Sequence, residues 1–254
     1  MRHLFSPEGE RALLAVMRKH PLLAFDFDGT LAPIVARADD ARVSKAVSRW
    51  LEQLAAVAPV AILTGRAVAD VAPRLGFEPR YIIGNHGSED PAGHLPSPSA
   101  DALDGLRQRL ARHAGALREA GVSVEDKQYS LALHYRLAKN QAQAAACIAE
   151  ALGELGPELK QFGGKCVVNI SPADAPDKAD ALASLIKLEG VASAVFVGDD
   201  VNDESVFEQA QPDWLTIKIG RDNPASQARF FLDSHSEMAI LLQKMLSLLR
   251  EHEN

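Results

Sequence analysis

Residues 22–31 read Leu-Leu-Ala-Phe-Asp-Phe-Asp-Gly-Thr-Leu, and this stretch decides the fold. Its first four residues form a short apolar run of the kind that makes a buried β-strand, and a glycine turn follows. Asp26 and Asp28 therefore lie where a strand ends, the edge at which open α/β sheets carry their ligand sites. Two carboxylates this close repel each other, so we expect a divalent cation or a shared proton to offset the repulsion.

Magnesium is the natural cation for this pair, because it prefers hard oxygen ligands and also binds phosphate. One carboxylate can then act as a nucleophile while its neighbour serves as general acid and base. The alternative is an ordinary Asp-Gly turn that caps a strand. Acidic residues elsewhere in the chain favour the metal site.

Composition and charge narrow the class of partner. The 254 residues carry a formal net charge of -7, which argues against a protein that binds nucleic acid or an anionic membrane. The first residues lack an apolar core of signal-peptide length, and no segment approaches the roughly 20 apolar residues of a membrane span. We therefore expect a cytoplasmic enzyme. A small-molecule substrate and a monomer or weak dimer are further expectations, although nothing in the composition determines the oligomeric state.

Short apolar runs alternate with helical stretches in the first part of the chain. Three strands with two intervening helices predict parallel βαβ units. Each strand is followed by a small polar cluster, and the three clusters should meet at the carboxyl edge of one sheet. The predicted strands span residues 22–27, 60–63 and 81–83, the helices 44–57 and 68–75, and the clusters 26–30, 64–66 and 84–87.

The pattern changes after a segment rich in turn-forming residues at 90–99, which we interpret as a linker. A helix, two strands, a helix and two strands predict an α+β insert with an antiparallel sheet. These elements span residues 101–120, 122–125, 130–136, 140–152, 159–162 and 165–171.

Alternation within the insert separates an apolar face from a polar one. Leu131, Leu133 and Tyr135 share one face, and His134 and Arg136 share the other. By the same period, Glu125 shares a face with Lys127, and Lys165 with Asn169. The polar face is suited to binding hydroxyl groups.

The βαβ pattern returns near residue 172, with helices at 177–188, 202–209 and 236–250 and strands at 194–197 and 215–219. The predicted fold class is therefore α/β: a Rossmann-like parallel-sheet core with an inserted α+β cap domain. The predicted domains are residues 1–95 for the first part of the core, 96–171 for the cap and 172–254 for the second part of the core.

Further polar groups fall at the same predicted sheet edge. Residues 198–204 read Gly-Asp-Asp-Val-Asn-Asp-Glu directly after a strand, which indicates either a metal site or a helix start enriched in acid. Thr64, Gly65 and Arg66 offer a hydroxyl and a backbone amide before a helix, suited to phosphate or to simple helix capping. Lys178 opens a helix, where it can neutralise a phosphoryl group or be a solvated surface lysine.

In this order the motifs resemble those of the haloacid dehalogenase superfamily of phosphotransferases. The resemblance implies that Asp26 is the nucleophile and that Asp28 protonates the leaving alcohol and later activates water. It implies that Thr64 and Lys178 hold the phosphoryl group, and that Asp199 ligates Mg²⁺ with Asp26 and the backbone carbonyl of Asp28. Asp200 and Asp203 would complete the acidic metal site, and which of them touches the metal is open.

Further segments are similar to those of trehalose-6-phosphate phosphatases: Gly-Asn-His-Gly-Ser-Glu at 84–89, Glu-Asp-Lys at 125–127 and Ser-Leu-Ala-Leu-His-Tyr-Arg at 130–136. This resemblance implies Mg²⁺-dependent hydrolysis of trehalose 6-phosphate, in trehalose biosynthesis, through an aspartyl-phosphate. The substrate-binding residues it implies are Gly65, Arg66, His86, Gly87, Glu125, Lys127, His134, Arg136, Lys165 and Asn169.

Two positions depart from that family. Asn169 stands where Glu is common, and Asn202 stands where Thr is usual. The alternatives are a phosphatase for sucrose-phosphate or mannosyl-3-phosphoglycerate, a phosphomutase resembling phosphomannomutase, and a catalytically silent sugar-binding protein. The intact acidic set disfavours the last, since such repulsion without a metal costs stability.

Overall fold

The computed structural model describes residues 1–93 and 98–251, and they form two compact units. The first unit is Met1–Leu95 with Asp177–Asn254, and the second is Pro96–Pro176. The predicted boundary between residues 95 and 96, and residues 94–97 of the predicted linker, lie outside the described residues. That each unit is a separate folding domain stays a prediction.

In chain order the strands are β1 (Arg2–His3), β2 (Leu22–Phe25), β3 (Val60–Leu63), β4 (Tyr81–Ile83), β5 (Ser123–Asp126), β6 (Leu131–His134), β7 (Leu159–Gly164), β8 (Val167–Pro172), β9 (Ala194–Gly198), β10 (Trp214–Ile219) and β11 (Phe230–Leu232). The α-helices are α1 (Pro7–Met17), α2 (Lys45–Ala55), α3 (Val68–Leu75), α4 (Asp104–Glu119), α5 (Gln141–Leu152), α6 (Lys178–Glu189), α7 (Glu204–Gln209) and α8 (Met238–Arg250). Short 3₁₀ turns include Ala38–Asp40, Asn85–Gly87 and Val201–Asp203.

The first unit contains a parallel sheet of seven strands in the order β1-β11-β10-β9-β2-β3-β4. Every residue of β2 is buried. Leu23 and Phe25 pack into the cluster formed with α1, α2, α3 and α8, whereas Leu22 and Ala24 pack into the cluster formed with α6 and α7. Because a strand alternates its side chains between two faces, helices cover both sides of the sheet. The predicted parallel α/β core is confirmed.

The register of the central strands aligns their ends. Phe25 at the end of β2 pairs with Ile62 of β3 and with Val197 of β9, and Leu63 pairs with Ile83 of β4. The residues that follow these strands therefore leave the sheet at one edge. This edge carries Asp26, Thr64 and Asp199 and the turn that begins at Gly84.

The second unit contains an antiparallel sheet of four strands in the order β5-β6-β8-β7, as predicted for the insert. Leu131, Leu133 and Ile170 pack with α4 and α5 in a separate core. Strand β8 begins at Val167, two residues later than predicted, because a turn occupies Lys165 and Cys166, whose φ is 61°.

Within residues 1–93 and 98–251, none of the helices has the length and apolar character that a membrane crossing requires.

Candidate active site

Asp26 follows β2 directly and is 5% exposed. Its backbone N–H donates to the Val197 carbonyl at 2.9 Å, which continues the pairing between β2 and β9. The chain then turns at Gly29, whose φ of 84° lies in the left-handed region, and Gly29 N donates to the Ala32 carbonyl at 2.7 Å. A Cβ at Gly29 would overlap the Asp199 carboxylate. Glycine therefore lets the turn and that carboxylate approach each other.

Lys178 is the first residue of α6 and is 1% exposed. Its Nζ donates to Asp26 Oδ1 and to Asp203 Oδ1, each at 2.7 Å. A capping box at Asp177 and Asp180 starts this helix and so places the lysine. The alternative of a solvated surface lysine is wrong, because this ammonium bridges two buried carboxylates.

The pKa of Asp26 lies well above its usual range. Burial is the largest cause, the charge of Lys178 acts in the opposite direction, and the charges of Asp203 and Asp199 raise the pKa further. Burial alone lowers the pKa of Lys178, but the charges of Asp203 and Asp26 outweigh burial and raise it. The lysine therefore stays charged at neutral pH. A cation bound beside Asp26 would favour the ionised carboxylate that a nucleophile requires.

Asp203 organises the acidic loop that follows β9. Its Oδ2 accepts from the backbone N–H groups of Asp199 at 2.8 Å and Asp200 at 2.9 Å, while its Oδ1 accepts from Lys178. Both oxygens of this fully buried carboxylate are thus held by the protein. A Cβ at Gly198 would overlap the Asp203 side chain, so glycine is required there too.

Asp26, Asp199 and Asp203 each offer a carboxylate oxygen within 4.8 Å of the others, and all three residues are buried. Among the described residues, these three buried carboxylates have two buried ammonium groups beside them: Lys178, which binds Asp26 and Asp203, and Lys218, whose Nζ binds the Asp199 carbonyl, so negative charge is still in excess. Oxygen-only donors with this excess charge fit a hard divalent cation. The Asp28 and Asp200 carboxylates lie outside this cluster of described residues.

Thr64 and Gly65 lie at the end of β3. Thr64 is fully buried, its carbonyl accepts from His86 N at 2.9 Å, and its Oγ1 accepts from Arg66 N at 3.2 Å. A Cβ at Gly65 would overlap the His86 ring, so the imidazole lies directly against this glycine. The structure thus brings together the polar cluster after β3 and the turn after β4.

The turn after β4 holds two successive non-glycine residues at positive φ, Asn85 at 49° and His86 at 58°. Such backbone conformations cost free energy and persist only where surrounding contacts hold them. Here Asn85 N donates to the Arg66 carbonyl at 2.9 Å, and Asn85 Nδ2 donates to Glu89 Oε2 at 2.7 Å. The same Glu89 oxygen accepts from Val68 N at 3.0 Å, at the start of α3.

Asp28, two residues beyond Asp26, is partly exposed and forms a two-pronged ion pair with Arg66. Arg66 Nε donates to Asp28 Oδ2 at 2.7 Å, and Nη2 donates to Asp28 Oδ1 at 2.8 Å. Burial lowers the pKa of Arg66, but the hydrogen bonds and charges of Asp28 and Asp70 outweigh burial and raise it. Arg66 was predicted as a substrate-binding residue, and its partners in the structure are these two aspartates and the Ala38 carbonyl.

In the second unit, the register places Glu125, Ala132 and Asn169 in one row across β5, β6 and β8. Glu125 Oε2 lies 2.8 Å from His134 Nε2 and 3.7 Å from Lys127 Nζ. The structure thus brings three predicted residues together on one face. Arg136 Nη2 donates to the Lys165 carbonyl at 2.9 Å.

The sequence analysis missed Lys218, a buried lysine in β10 whose Nζ donates to the Asp199 carbonyl at 2.7 Å. A signal was present, because a single charge inside the apolar strand Trp214–Ile219 needs a buried partner. It also missed the support that Asp70 and Glu89 give to Arg66 and Asn85. Nothing in their local sequence distinguishes them from surface acids.

The first unit carries a buried aspartate–lysine pair and an acidic loop at one edge of its parallel sheet, and its chain is interrupted by the α+β unit. This arrangement defines a haloacid dehalogenase-like protein. The fold is similar to that of a phosphatase of the haloalkanoate dehalogenase superfamily from Bacteroides thetaiotaomicron, with a TM-score of 0.63 at 16% identity, covering 91% of this chain and 96% of that one. The trehalose-phosphatase family model matches residues 24–236, and the chain belongs to this family. The predicted family is confirmed.

A curated relative is the trehalose-phosphate phosphatase of Mycobacterium ulcerans, which is 33% identical over 243 residues. The match covers 90% of this chain, and the chain spans 62% of that relative's length. The C-terminal domain of the trehalose-6-phosphate phosphatase of C. albicans has the same fold, with a TM-score of 0.79 at 20% identity, covering 94% of this chain and 96% of that one.

Proposed function

We propose that this chain hydrolyses trehalose 6-phosphate to trehalose and phosphate through an aspartyl-phosphate on Asp26. The observation that carries the proposal is the buried Asp26 carboxylate, held by Lys178 at 2.7 Å beside Asp199 and Asp203, in a member of the trehalose-phosphatase family. Phosphoryl transfer depends mainly on positioning and on charge neutralisation, and this cluster supplies both.

Two proton-balanced steps follow. In the first, an Asp26 oxygen bonds to phosphorus and the bond from phosphorus to the sugar oxygen breaks. Asp28, which begins this step protonated, donates its proton to the sugar oxygen. In the second, a water oxygen bonds to phosphorus, the bond to Asp26 breaks, and Asp28 takes the water's proton. The enzyme returns to its starting state, and Lys178 balances negative charge next to the reacting oxygen throughout.

We assign the metal site to Mg²⁺, which the Asp26 and Asp199 carboxylates would hold together with the backbone carbonyl of Asp28. Bound there, the ion would supply neutralisation of charge on the phosphoryl oxygens. Asp203 has both oxygens bonded to Lys178 and to backbone N–H groups, which supports a role in holding the loop. Asp200 Oδ1 accepts from Val201 N at 2.8 Å, which supports the same role.

We assign the phosphoryl group to Thr64, Gly65 and Lys178, and the sugar hydroxyls to the polar face of the second unit. That face carries Glu125, Lys127, His134 and Asn169, and we add His86, Gly87, Arg136 and Lys165 as further sugar contacts. Carboxylate, amide, ammonium and imidazole groups provide both donors and acceptors for hydroxyls. Asn169 donates as well as accepts, unlike the glutamate common at this position.

The test is phosphate release from a substrate panel of trehalose 6-phosphate, sucrose 6-phosphate, mannosyl-3-phosphoglycerate and glucose 6-phosphate. We expect the highest kcat/KM for trehalose 6-phosphate, with trehalose and phosphate formed in equal amounts; a mutase would release little phosphate. Asp26→Asn should have no turnover, whereas Asp213→Asn, at an exposed residue that pairs with Lys19, should keep the wild-type rate. Turnover by Asp26→Asn would overturn the mechanism, and equal use of glucose 6-phosphate would overturn the substrate.

A further inference from the structure

We propose that Arg66 is a positioning residue that orients the carboxylate of Asp28 for proton transfer, and that Asp70 and Arg74 hold Arg66 in place. This inference rests on the proposed function, in which Asp28 exchanges protons with the leaving group and with water. It reassigns Arg66 from substrate binding to the control of a neighbouring side chain.

The guanidinium of Arg66 uses most of its donors within the protein. Arg66 has five N–H groups. Nε and Nη2 bind Asp28, Nη1 binds Asp70 Oδ2 at 2.6 Å, and Nη2 also binds the Ala38 carbonyl at 2.8 Å. Within residues 1–93 and 98–251, four of the five donors are therefore used by the protein. The side chain is only 10% exposed, so little of it is left for a substrate.

The two hydrogen bonds from Arg66 reach both oxygens of the Asp28 carboxylate. A two-pronged hydrogen bond fixes the plane of a carboxylate, because a planar fork meets both oxygens at once. Each carboxylate oxygen has two lone pairs, and Arg66 uses one on each. One lone pair on each oxygen remains for proton transfer, pointing in a direction that Arg66 sets. A misplacement of about 1 Å in such a group can cost on the order of 100-fold in rate.

Asp70, which binds Arg66, is itself held by Arg74. Asp70 lies in the first turn of α3, and its Oδ1 accepts from Arg74 Nε at 3.0 Å and also from Arg74 Nη2. Arg74 is buried and donates through Nη1 to the Asp39 carbonyl at 2.6 Å. Charges alternate along the series Asp28, Arg66, Asp70 and Arg74. The series anchors a side chain on a loop to a helix and to the Ala38–Asp40 turn.

The test compares two small esters that share the phosphoryl group and differ in the leaving group. p-Nitrophenolate leaves without help, whereas phenolate needs a proton from the enzyme. Arg66→Lys keeps the charge and removes the fork. We expect it to lower kcat/KM for phenyl phosphate about 10- to 100-fold and for p-nitrophenyl phosphate by less than about 3-fold.

The matched control is Arg107→Lys. Arg107 also forks onto an aspartate, Asp126, at 2.8 and 3.1 Å, and bonds Asp104 and the Gln128 carbonyl with its other donors. The Arg107→Lys variant should leave unchanged the ratio of kcat/KM for phenyl phosphate to kcat/KM for p-nitrophenyl phosphate. Asp70→Asn removes a charged partner of Arg66 at almost constant size, and it should shift the ratio in the same direction as Arg66→Lys. It serves as the test if Arg66→Lys does not fold.

Asp28→Asn is the benchmark, and it should lower kcat/KM for phenyl phosphate much more than for p-nitrophenyl phosphate, because kcat/KM reports the step in which the leaving group departs, before the water step that both esters share. If it does so while Arg66→Lys and Asp70→Asn reduce both esters equally, Arg66 contacts the shared phosphoryl group, and the inference fails while the proposed function stands. Unchanged rates in both variants would also overturn the inference. If Asp28→Asn itself shows no selectivity, the acid role in the proposed function fails, and the positioning role falls with it.

Discussion

Replacement of Lys178 by Met should show how the buried charges of the site are balanced. In the native structure its ammonium bonds two carboxylates at 2.7 Å, and the three side chains are between 0 and 7% exposed. Methionine is similar in length but carries no charge. The variant therefore leaves Asp26 and Asp203 buried, close together and without their cation.

The size of the effect follows from that geometry. Removal of one partner from a buried ion pair costs about 3 to 5 kcal/mol, because the remaining charge stays desolvated. Lys218→Met is the matched control: this lysine is also buried, but its shortest bond is to the Asp199 carbonyl, and its charged partner, Asp222 at 3.5 Å, is exposed to solvent. Loss of that bond leaves a neutral acceptor, which costs about 1 to 3 kcal/mol. The Lys178 variant should therefore be the less stable of the two.

Urea unfolding, followed by circular dichroism in excess chelator and in excess Mg²⁺, provides the measurement. Because Lys178→Met makes the acidic cluster more negative, Mg²⁺ should stabilise this variant more than the wild type. The Lys218 variant should respond to Mg²⁺ less than the Lys178 variant does. If Lys178→Met unfolds at the wild-type urea concentration in chelator, or if Mg²⁺ stabilises both variants equally, Lys178 does not balance the buried charges in this way.

Three further outcomes can be measured. Asp199→Ala should lower kcat and weaken Mg²⁺ binding, which calorimetry measures. Chelation should stop the wild-type reaction, Mg²⁺ should restore it, and Ca²⁺ should support it poorly. Full activity in excess chelator would contradict the metal site. Glu125→Ala should lower kcat/KM for trehalose 6-phosphate by about 10- to 100-fold, or about 1.4 to 2.7 kcal/mol, and for p-nitrophenyl phosphate much less; equal losses would remove Glu125 from the sugar site. Burial raises the pKa of Asp70, but hydrogen bonds from Arg74 and Arg66 outweigh burial and lower it from 3.8. The ionised Asp70 therefore stabilises the fold above pH about 4, and this effect is lost as the pH falls through the lowered pKa. The difference in unfolding free energy between wild type and Asp70→Asn should shrink below pH about 4. A constant difference from pH about 6 to about 2 would contradict this pairing.

Local pattern was sufficient for much of the fold. The bounds predicted for β3, α3 and β4 agree with the structure residue for residue, because each element is a short apolar or amphipathic run between turn-forming residues. Strand β2 ends two residues earlier than predicted: Asp26 still donates to the Val197 carbonyl of β9, but Phe27 belongs to the active-site turn. There, Leu31 N and Ala32 N both donate to the Phe27 carbonyl, so residue 27 takes part in the turn.

Three elements of the core escaped prediction: β1, α1 and β11. Helix α1 did carry local signals, since Ser6 caps it and Pro7 occupies its first position. Strand β11 carried one too, since Phe230, Phe231 and Leu232 form a short apolar run before Asp233, whereas β1 carried none. Arg2 and His3 form a strand only because they pair with Phe230 and Phe231, which lie more than 220 residues away in the chain.

The sequence by itself determined that Asp26, Thr64 and Asp199 lie at one edge of a parallel sheet, because residues that follow parallel strands leave the sheet on the same side. It also determined the two faces of the second sheet, since side chains alternate along a strand. Periodicity assigns a residue to a face or an end of an element, and it carries no information about which distant side chain lies within hydrogen-bond distance. Only the tertiary structure decided that Lys178 bridges Asp26 and Asp203, and that Arg66 forks onto Asp28. These pairings depend on how helices α3 and α6 pack beside the strand ends, where burial makes each charge take a partner of opposite sign.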